Sequence, residues 1–282
     1  MDIIDDRKKG ITLILLSALF FALMAATVKY LGDMPVVEKI FFRNLFGVII
    51  AFYLVKKKGR SLKGNNTKLL FLRSLTGLLG IAAYFYALSK IYLADAVILN
   101  KMSPFFVVIL AAIFLKEKIK KPQFIALVLA ISGAMMVIKP RFDYTVIPAL
   151  VGLLSAFLAG CSYTIIRHLK ETDYPETIVF YFTLISSLAM IPFMLAGQFV
   201  MPTGPQILAL LGLGIFATTA QLLMTNAYHY APAGELSIYT YSNIIFSTII
   251  GLVIWGEIPD LLSILGGVAI IIAGIINYRS KE

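Results

Sequence analysis

The chain is 282 residues long, 60% hydrophobic and 14% charged. A water-soluble domain carries about 25% charged residues, and the apolar runs leave almost nothing over for a water-soluble core. The net charge of +10 does not point to nucleic acid, because the cations fall in short stretches between apolar runs. The single cysteine, Cys161, excludes an internal disulfide and a cysteine-held metal cluster. No metal-protease, phosphate-loop or nucleophile-elbow motif is present, and no span holds paired carboxylates. No catalytic residue, metal site or cofactor is therefore expected.

A helix needs about 20 apolar residues to cross the hydrocarbon core of a bilayer. In chain order, the apolar runs predict spans over residues 10–31, 37–55, 69–89, 95–115 and 122–139. They continue over 147–167, 175–196, 206–228, 235–255 and 261–278. Turn and charge signals separate them, among them Gly32-Asp33-Met34-Pro35, Lys56 to Lys63, Lys116 to Pro122, Lys139-Pro140 and Met201 to Pro205. The first run follows Arg7-Lys8-Lys9 but outlasts a signal-peptide core and lacks a small-residue cleavage site, so it is expected to be a retained first span.

With the N-terminus taken as inside, 17 of the 25 Lys and Arg residues fall on the inner side, five lie outside, and three (Arg43, Arg73, Lys101) lie within spans. That asymmetry predicts ten spans with both termini cytoplasmic.

The two halves echo each other. A shift of 138 residues lays Leu15-Leu16-Ser17-Ala18 on Leu153-Leu154-Ser155-Ala156, Lys29 on Arg167, Glu38 on Glu176 and Phe42 on Phe180. A shift of 140 lays Ala87 on Ala227, Asp95 on Glu235, Phe106 on Phe246 and Glu117 on Glu257. Carboxylates are rare in such segments, so the acid pairs bracketing the fourth and ninth spans carry the argument. Two repeats, residues 1–140 and 141–282, each with five spans, must run in opposite orientations, as in many secondary transporters. The fold class expected is all-α integral membrane, ten helices in two inverted five-helix repeats.

Within the spans, Arg43 lies about 7 Å beyond Glu38, and Lys101 about 9 Å beyond Asp95, at about 1.5 Å per residue. Charges at such depth face a cavity or a partner. One reading is a basic pocket for a carboxylate or phosphate, with Arg43 as a bidentate clamp. The other is structural pairing of the cations, Arg43 with Glu38, Asp95 or Asp33. Asn100 adjoins Lys101, and Pro104 is expected to kink the fourth span by freeing a carbonyl near Asn100. Its counterpart Ile244 offers no such kink. The ninth span is unusually polar, with Glu235, Tyr239, Tyr241 and Asn243 among nine polar residues, and reads as a cavity wall. Gln221 and Thr225 lie on one stripe of the eighth span. Tyr84 carries a hydroxyl that needs a partner at depth. Glu38, Asp95, Pro104 and Glu235 are candidates for coupling and gating. Ala126, Ala130 and Ala134, with Gly266, Ala269 and Gly274, suit close helix approach.

Several motifs resemble the drug/metabolite transporter superfamily, in its ten-span EamA type. They are Glu38 through Arg43 (EKIFFR), Leu93-Ala94-Asp95-Ala96, Pro104-Phe105, Leu115-Lys116-Glu117-Lys118, Tyr230-Ala231-Pro232-Ala233 and Trp255-Gly256-Glu257. The stretch from Leu72-Arg73 through Gly77, Tyr84 and Tyr86-Ala87 to Glu117 is similar to the G-type branch of the nucleotide-sugar-related solute carriers. The resemblance implies a central cavity lined by the first four helices of each half, with the fifth and tenth to the side, and transport of an organic anion. The function expected is secondary transport of a small polar metabolite, an organic anion or zwitterion such as an amino acid or carboxylate, across the cytoplasmic membrane. A lipid-headgroup flippase and an integral-membrane enzyme are the competing classes. The partners expected are the bilayer, a small-molecule substrate and a proton or counter-substrate, with monomer and homodimer both open.

Overall fold

The computed structural model describes residues 3–114, 116, 118–139, 144–169, 171–230, 236 and 238–280, without the side chains of 3–6, 145, 167, 225, 228 and 229. Every described element is helical. The first half comprises α1 (Ile3–Tyr30), α2 (Val36–Lys57), α3 (Thr67–Lys90), α4 (Leu93–Asn100), α5 (Ser103–Phe114) and α6 (Lys121–Ile138). The second comprises α7 (Ile147–Leu169), α8 (Pro175–Phe193), α9 (Gly204–Tyr230), α10 (Ser242–Trp255) and α11 (Leu261–Arg279). Short 3-10 turns at Tyr144–Val146 and Ile238–Tyr241 lead into α7 and α10, and a π turn, Met194–Gln198, extends α8.

Among the described residues, nine helices are long and apolar enough to cross a membrane, with α4 and α5 counted together as one. Helix α2 is the tenth. It has the length, but carries Glu38, Lys39, Arg43, Lys56 and Lys57. Helices dominate because lipid offers no hydrogen bonds, so each span must satisfy its own backbone. Local signals stop them. Gly32, with φ +50°, ends α1, the Asn66 side chain caps α3 by accepting from the Leu69 N–H at 3.2 Å, and Asp260 caps α11 through the Ser263 N–H at 2.9 Å.

The packing has the symmetry of an inverted repeat. Exchanging each span for its counterpart in the other half turns the α1–α9 contact into α7–α3, the α1–α10 contact into α7 with α4 and α5, and α2–α9 into α8–α3. The pairs α2–α8, α4–α10 and α6–α11 map onto themselves, so the pseudo-twofold axis runs between their members. The chain is an all-α integral membrane protein of ten spans in two inverted five-helix repeats.

Helices α6 and α11 meet at the side of the bundle. A Cβ on Gly133 would lie 2.7 Å from the Gly266 carbonyl oxygen, and one on Gly266 would lie 2.5 Å from that of Gly133. Only hydrogen fits on either side, which explains the small residues found there. Ala126, Ala130 and Ala134 are buried along the same contact. Gly274 does another job, receiving the Tyr241 ring.

The fourth span departs from its expected form. It is not one kinked helix over 95–115 but two helices, broken at Lys101-Met102. Pro104 sits in the first turn of α5, where its missing N–H has no intrahelical acceptor to lose. The ninth span, as far as it is described, opens with the 3-10 turn Ile238–Tyr241, which passes directly into α10 at Ser242. Lys101 and Tyr241 are 140 residues apart, so the break in the fourth span and this 3-10-to-α junction fall at the same point of the repeat. The break in the fourth span lies upstream of Pro104 rather than at it.

Candidate functional site

The end of α4, where the fourth span breaks, packs against α10, and an asparagine from each of these spans reaches the first helix of a half. Asn100 donates to Ser155 Oγ of α7 at 3.2 Å, and Asn243 donates to the Ala18 carbonyl of α1 at 2.9 Å. Ser155 is the repeat counterpart of Ser17, the neighbour of Ala18, so the two ties reach the same level of the first helix in each half, from different positions of their own spans. Asn243 is thereby held in helix packing, while the Lys101 backbone N–H closes the end of α4 on Val97 and Ile98. No ion pair or side-chain hydrogen bond joins the Lys101 ammonium to any described residue.

The acids expected to neutralise the intramembrane cations are engaged elsewhere. Glu38 is fully buried and accepts the Val200 N–H at 2.6 Å through Oε1, leaving Oε2 buried without a hydrogen bond. Asp95 lies beside Ser263 of α11, with Oδ1 also unbonded. Asp33 is exposed and meets Lys90 at 3.5 Å. Among the described residues, none of the three forms an ion pair with Arg43. Arg43 donates instead to Asn44 Oδ1 at 2.9 Å, and Asn44 is itself anchored on the Ile40 carbonyl.

The structure brings together a group that the linear pattern did not. Arg43 of α2 and Arg73 of α3 both lie against the ring of Phe182 of α8, their guanidinium carbons 5.9 and 3.8 Å from its centroid. Tyr163 of α7 lies within electrostatic range of both. Arg73 is a residue that sequence reasoning noted as intramembrane but did not place in a site. Its depth was a signal, but the contact with Phe182, 109 positions away, was not.

Other expected site residues have other surroundings. Tyr241 is buried in the core, its hydroxyl end against Gly274. Tyr239 packs beside Ile14, Ala227 and Leu236, toward the N-terminal end of α1. Tyr84 packs on the main core beside Phe85, ring centroids 6.4 Å apart. Gln221 is half-buried on α9 and has a bonded neighbour. The side chain of Thr225 and the whole of Glu235 lie outside the described residues.

The ends of α1, α3, α4 and α10 form a shallow cleft lined by Lys29, Ser89, Lys90, Tyr92, Asp95 and Glu257. Its floor is closed by a largely buried ion pair, Lys29 Nζ to Glu257 Oε1 at 2.5 Å. Glu257 also caps α4, accepting the Leu93 N–H at 2.8 Å, and Lys29 donates to the Ile91 carbonyl at 2.6 Å. Both residues appeared in the repeat comparison, opposite Arg167 and Glu117, without being recognised as partners. Lys39 is fully buried beneath this surface and donates to the Val28 and Gly32 carbonyls and to Ser89 Oγ. It neutralises the negative end of α1.

A family model described as the EamA-like transporter family matches residues 8–139 and 146–279, one copy in each half. The chain belongs to the EamA-like transporter family. That places it in the drug/metabolite transporter superfamily. The EamA-like chain is 35% identical over 283 residues to the pseudopaline exporter of Pseudomonas aeruginosa strain UCBPP-PA14, covering 99% of both proteins. It is 28% identical over 209 residues to a riboflavin transporter of Rhizobium johnstonii, covering 74% of this chain and 69% of that one. Human solute carrier family 35 member G1 is 26% identical over 283 residues, with 94% and 78% covered. A solved crystal structure shares the fold with TM-score 0.67 over 99% of both chains at 17% identity. The EamA-like family and these relatives are transporters by name.

Proposed function

We propose that the protein is a secondary transporter that moves a small organic anion or zwitterion, an amino acid or carboxylate, across the cytoplasmic membrane by alternating access. The observation that carries this reading is the interrupted fourth span, α4/α5, packed against α10 of the inverted repeat, with Lys101, unpaired among the described residues, at the break. Discontinuous helices at a repeat interface are where secondary transporters bind cargo, and an unpaired ammonium at low dielectric favours an anion. Lys101 is the cargo's first contact in this reading, with Asn100, Tyr84 and Gln221 as candidate neighbours. Glu38 and Asp95, each with a buried unbonded oxygen, are candidate proton carriers for coupling. The export activity named for the Pseudomonas relative supports efflux as the direction.

The test is uptake into proteoliposomes holding the purified protein, with radiolabelled citrate, glutamate and putrescine, a diamine without a carboxylate. Accumulation or counterflow of a carboxylate probe above protein-free vesicles is expected, and none of putrescine. Transport confined to the diamine would end the anion reading. Scrambling of labelled phospholipid without solute uptake would favour a flippase, and chemical conversion of a probe an enzyme.

The same reading puts both termini and the loop after α2 in the cytoplasm. With Cys161 replaced by serine, a cysteine at Leu62 should react with an impermeant thiol reagent only from inside, and one at Met201 only from outside. Labelling of both from one side would sink the orientation.

A further inference from the structure

We infer that Arg43, Arg73 and Tyr163 form an anion-binding site of their own, in which the two guanidiniums hold a carboxylate of the cargo. The inference deepens the transport reading above and rests on it. Arg73 lies six residues inside the start of α3, and Arg43 seven beyond the start of the oppositely running α2. Both side chains are long enough to meet between those levels, and both do so on Phe182.

Two cations drawn together inside a membrane repel each other and lose hydration. Such groups persist where an anion is present. Among the described residues, no aspartate or glutamate forms an ion pair with either arginine. Nε of Arg43, and Nε and Nη1 of Arg73, are buried without a hydrogen bond. Each is a charged N–H left for an oxyanion to take up. The Phe182 ring gives both guanidiniums a flat apolar support. Gly77 leaves the room for it: a Cβ there would stand 3.0 Å from Arg73 Nη1 and 2.9 Å from the Phe182 edge. The cluster is not closed over, since Tyr163 remains 53% exposed and offers a hydroxyl on that side. Asn44 fixes one arm of Arg43, so that the site is shaped before its ligand arrives.

An oxyanion with two accessible oxygens fits this set, and a soluble carboxylate and a lipid phosphate share that chemistry. The test uses the full chain in phosphatidylcholine nanodiscs, with citrate and glutamate as soluble probes and phosphatidylglycerol as the lipid probe. Binding is read by thermal shift and by calorimetry. At least one carboxylate should bind the parent protein. Arg43→Gln and Arg73→Gln should each weaken it at least tenfold, and the double variant should abolish it. Arg73→Lys keeps the charge but not the fork, and Gly77→Ala keeps both arginines but crowds them. Each of these milder changes should weaken binding while the protein still elutes as a single species, so a folding defect in the glutamine variants cannot mimic the result. Unchanged affinity in Arg73→Lys, Gly77→Ala and the double variant overturns the assignment, and so does a parent protein that binds no carboxylate. A shift produced by phosphatidylglycerol alone, and lost with the arginines, would make the occupant a lipid and overturn the cargo site. Arginine-dependent binding of a carboxylate that the parent protein never transports would overturn the transport reading and leave the site standing.

Discussion

Replacing Lys101 by glutamine is expected to abolish carboxylate transport without lowering the protein's stability. Two physical accounts of a buried lysine make opposite predictions. If the ammonium is half of an ion pair, its removal strands a buried carboxylate and costs about 3–5 kcal/mol. If it is unpaired, its removal relieves a desolvation penalty, and the protein unfolds at the same temperature or higher. The structure favours the second account, because Glu38 is engaged by the Val200 N–H and Asp95 lies beside Ser263. What the variant loses is then the charge that meets the cargo, and a hydrogen bond to a charged group is worth about 1.5–3 kcal/mol. That corresponds to a fall in cargo affinity of about 10- to 150-fold. Uptake of the carboxylate by reconstituted variant and parent, with a thermal melt of each, decides between the accounts. Transport within twofold of the parent would remove Lys101 from the site, and a steep drop in melting temperature would reinstate a structural pair.

The second large effect is expected at the Lys29–Glu257 closure. Glu257→Ala should destabilise the protein by about 3–5 kcal/mol, the usual loss when one partner of a buried pair is removed. Lys29 and Glu257 keep only 14% and 10% of their side-chain surface exposed, so solvent screens the pair weakly. The same carboxylate holds the first turn of α4 through the Leu93 N–H, adding the loss of a helix cap, about 1 kcal/mol. Glu257→Gln keeps an acceptor for Leu93 and should lose less. The double change Lys29→Met with Glu257→Met leaves no stranded charge and should regain much of the loss. Thermal unfolding in one detergent orders the four proteins. A function follows from the position of the pair. It joins α1 of the first half to the loop after α10 of the second, so its rupture should loosen the cleft lined by Ser89 and Lys90. A cysteine at Ser89, in a Cys161→Ser background, should react faster with an external thiol reagent in Glu257→Ala than in the parent protein. An unchanged melt and an unchanged labelling rate would show that the pair neither stabilises nor seals.

Much of the architecture was legible in the linear pattern, for a reason particular to lipid. A segment inside the bilayer core must satisfy its own backbone and present apolar side chains, so length and hydropathy alone locate it. All ten expected spans have a helical counterpart, and the offsets of 138 and 140 residues reappear as equivalent packing partners. The small residues on α6 and α11 point to close helix approach, but neither the pairing of these two helices nor Gly133, its closest point, is visible in the linear pattern. Local motifs also identified the family, because they sit at helix ends where charges and caps are confined to fixed positions.

The site was much less legible. Arg43, Lys101, Glu38 and Asp95 stand out as charges in apolar surroundings, but nothing along the chain says which of them meet. Tyr241 and Asn100 look alike as polar residues beside a charge or a break, yet one packs on Gly274 and the other reaches across to Ser155. The break at Lys101-Met102 was read as a kink at Pro104, because proline is the visible signal.

The amino-acid sequence by itself therefore determined the number of spans, their repeat and the family, since those depend on how each segment partitions between water and lipid. Only the tertiary structure decided that Lys29 finds Glu257, that Lys39 is spent on the end of α1, and that Arg43 and Arg73 converge on Phe182 with no acid among the described residues paired to them. Those outcomes depend on which helix faces present themselves to one another. In an apolar bundle, that choice is made by the packing of many side chains at once, and it leaves no periodic trace around any one of the residues concerned.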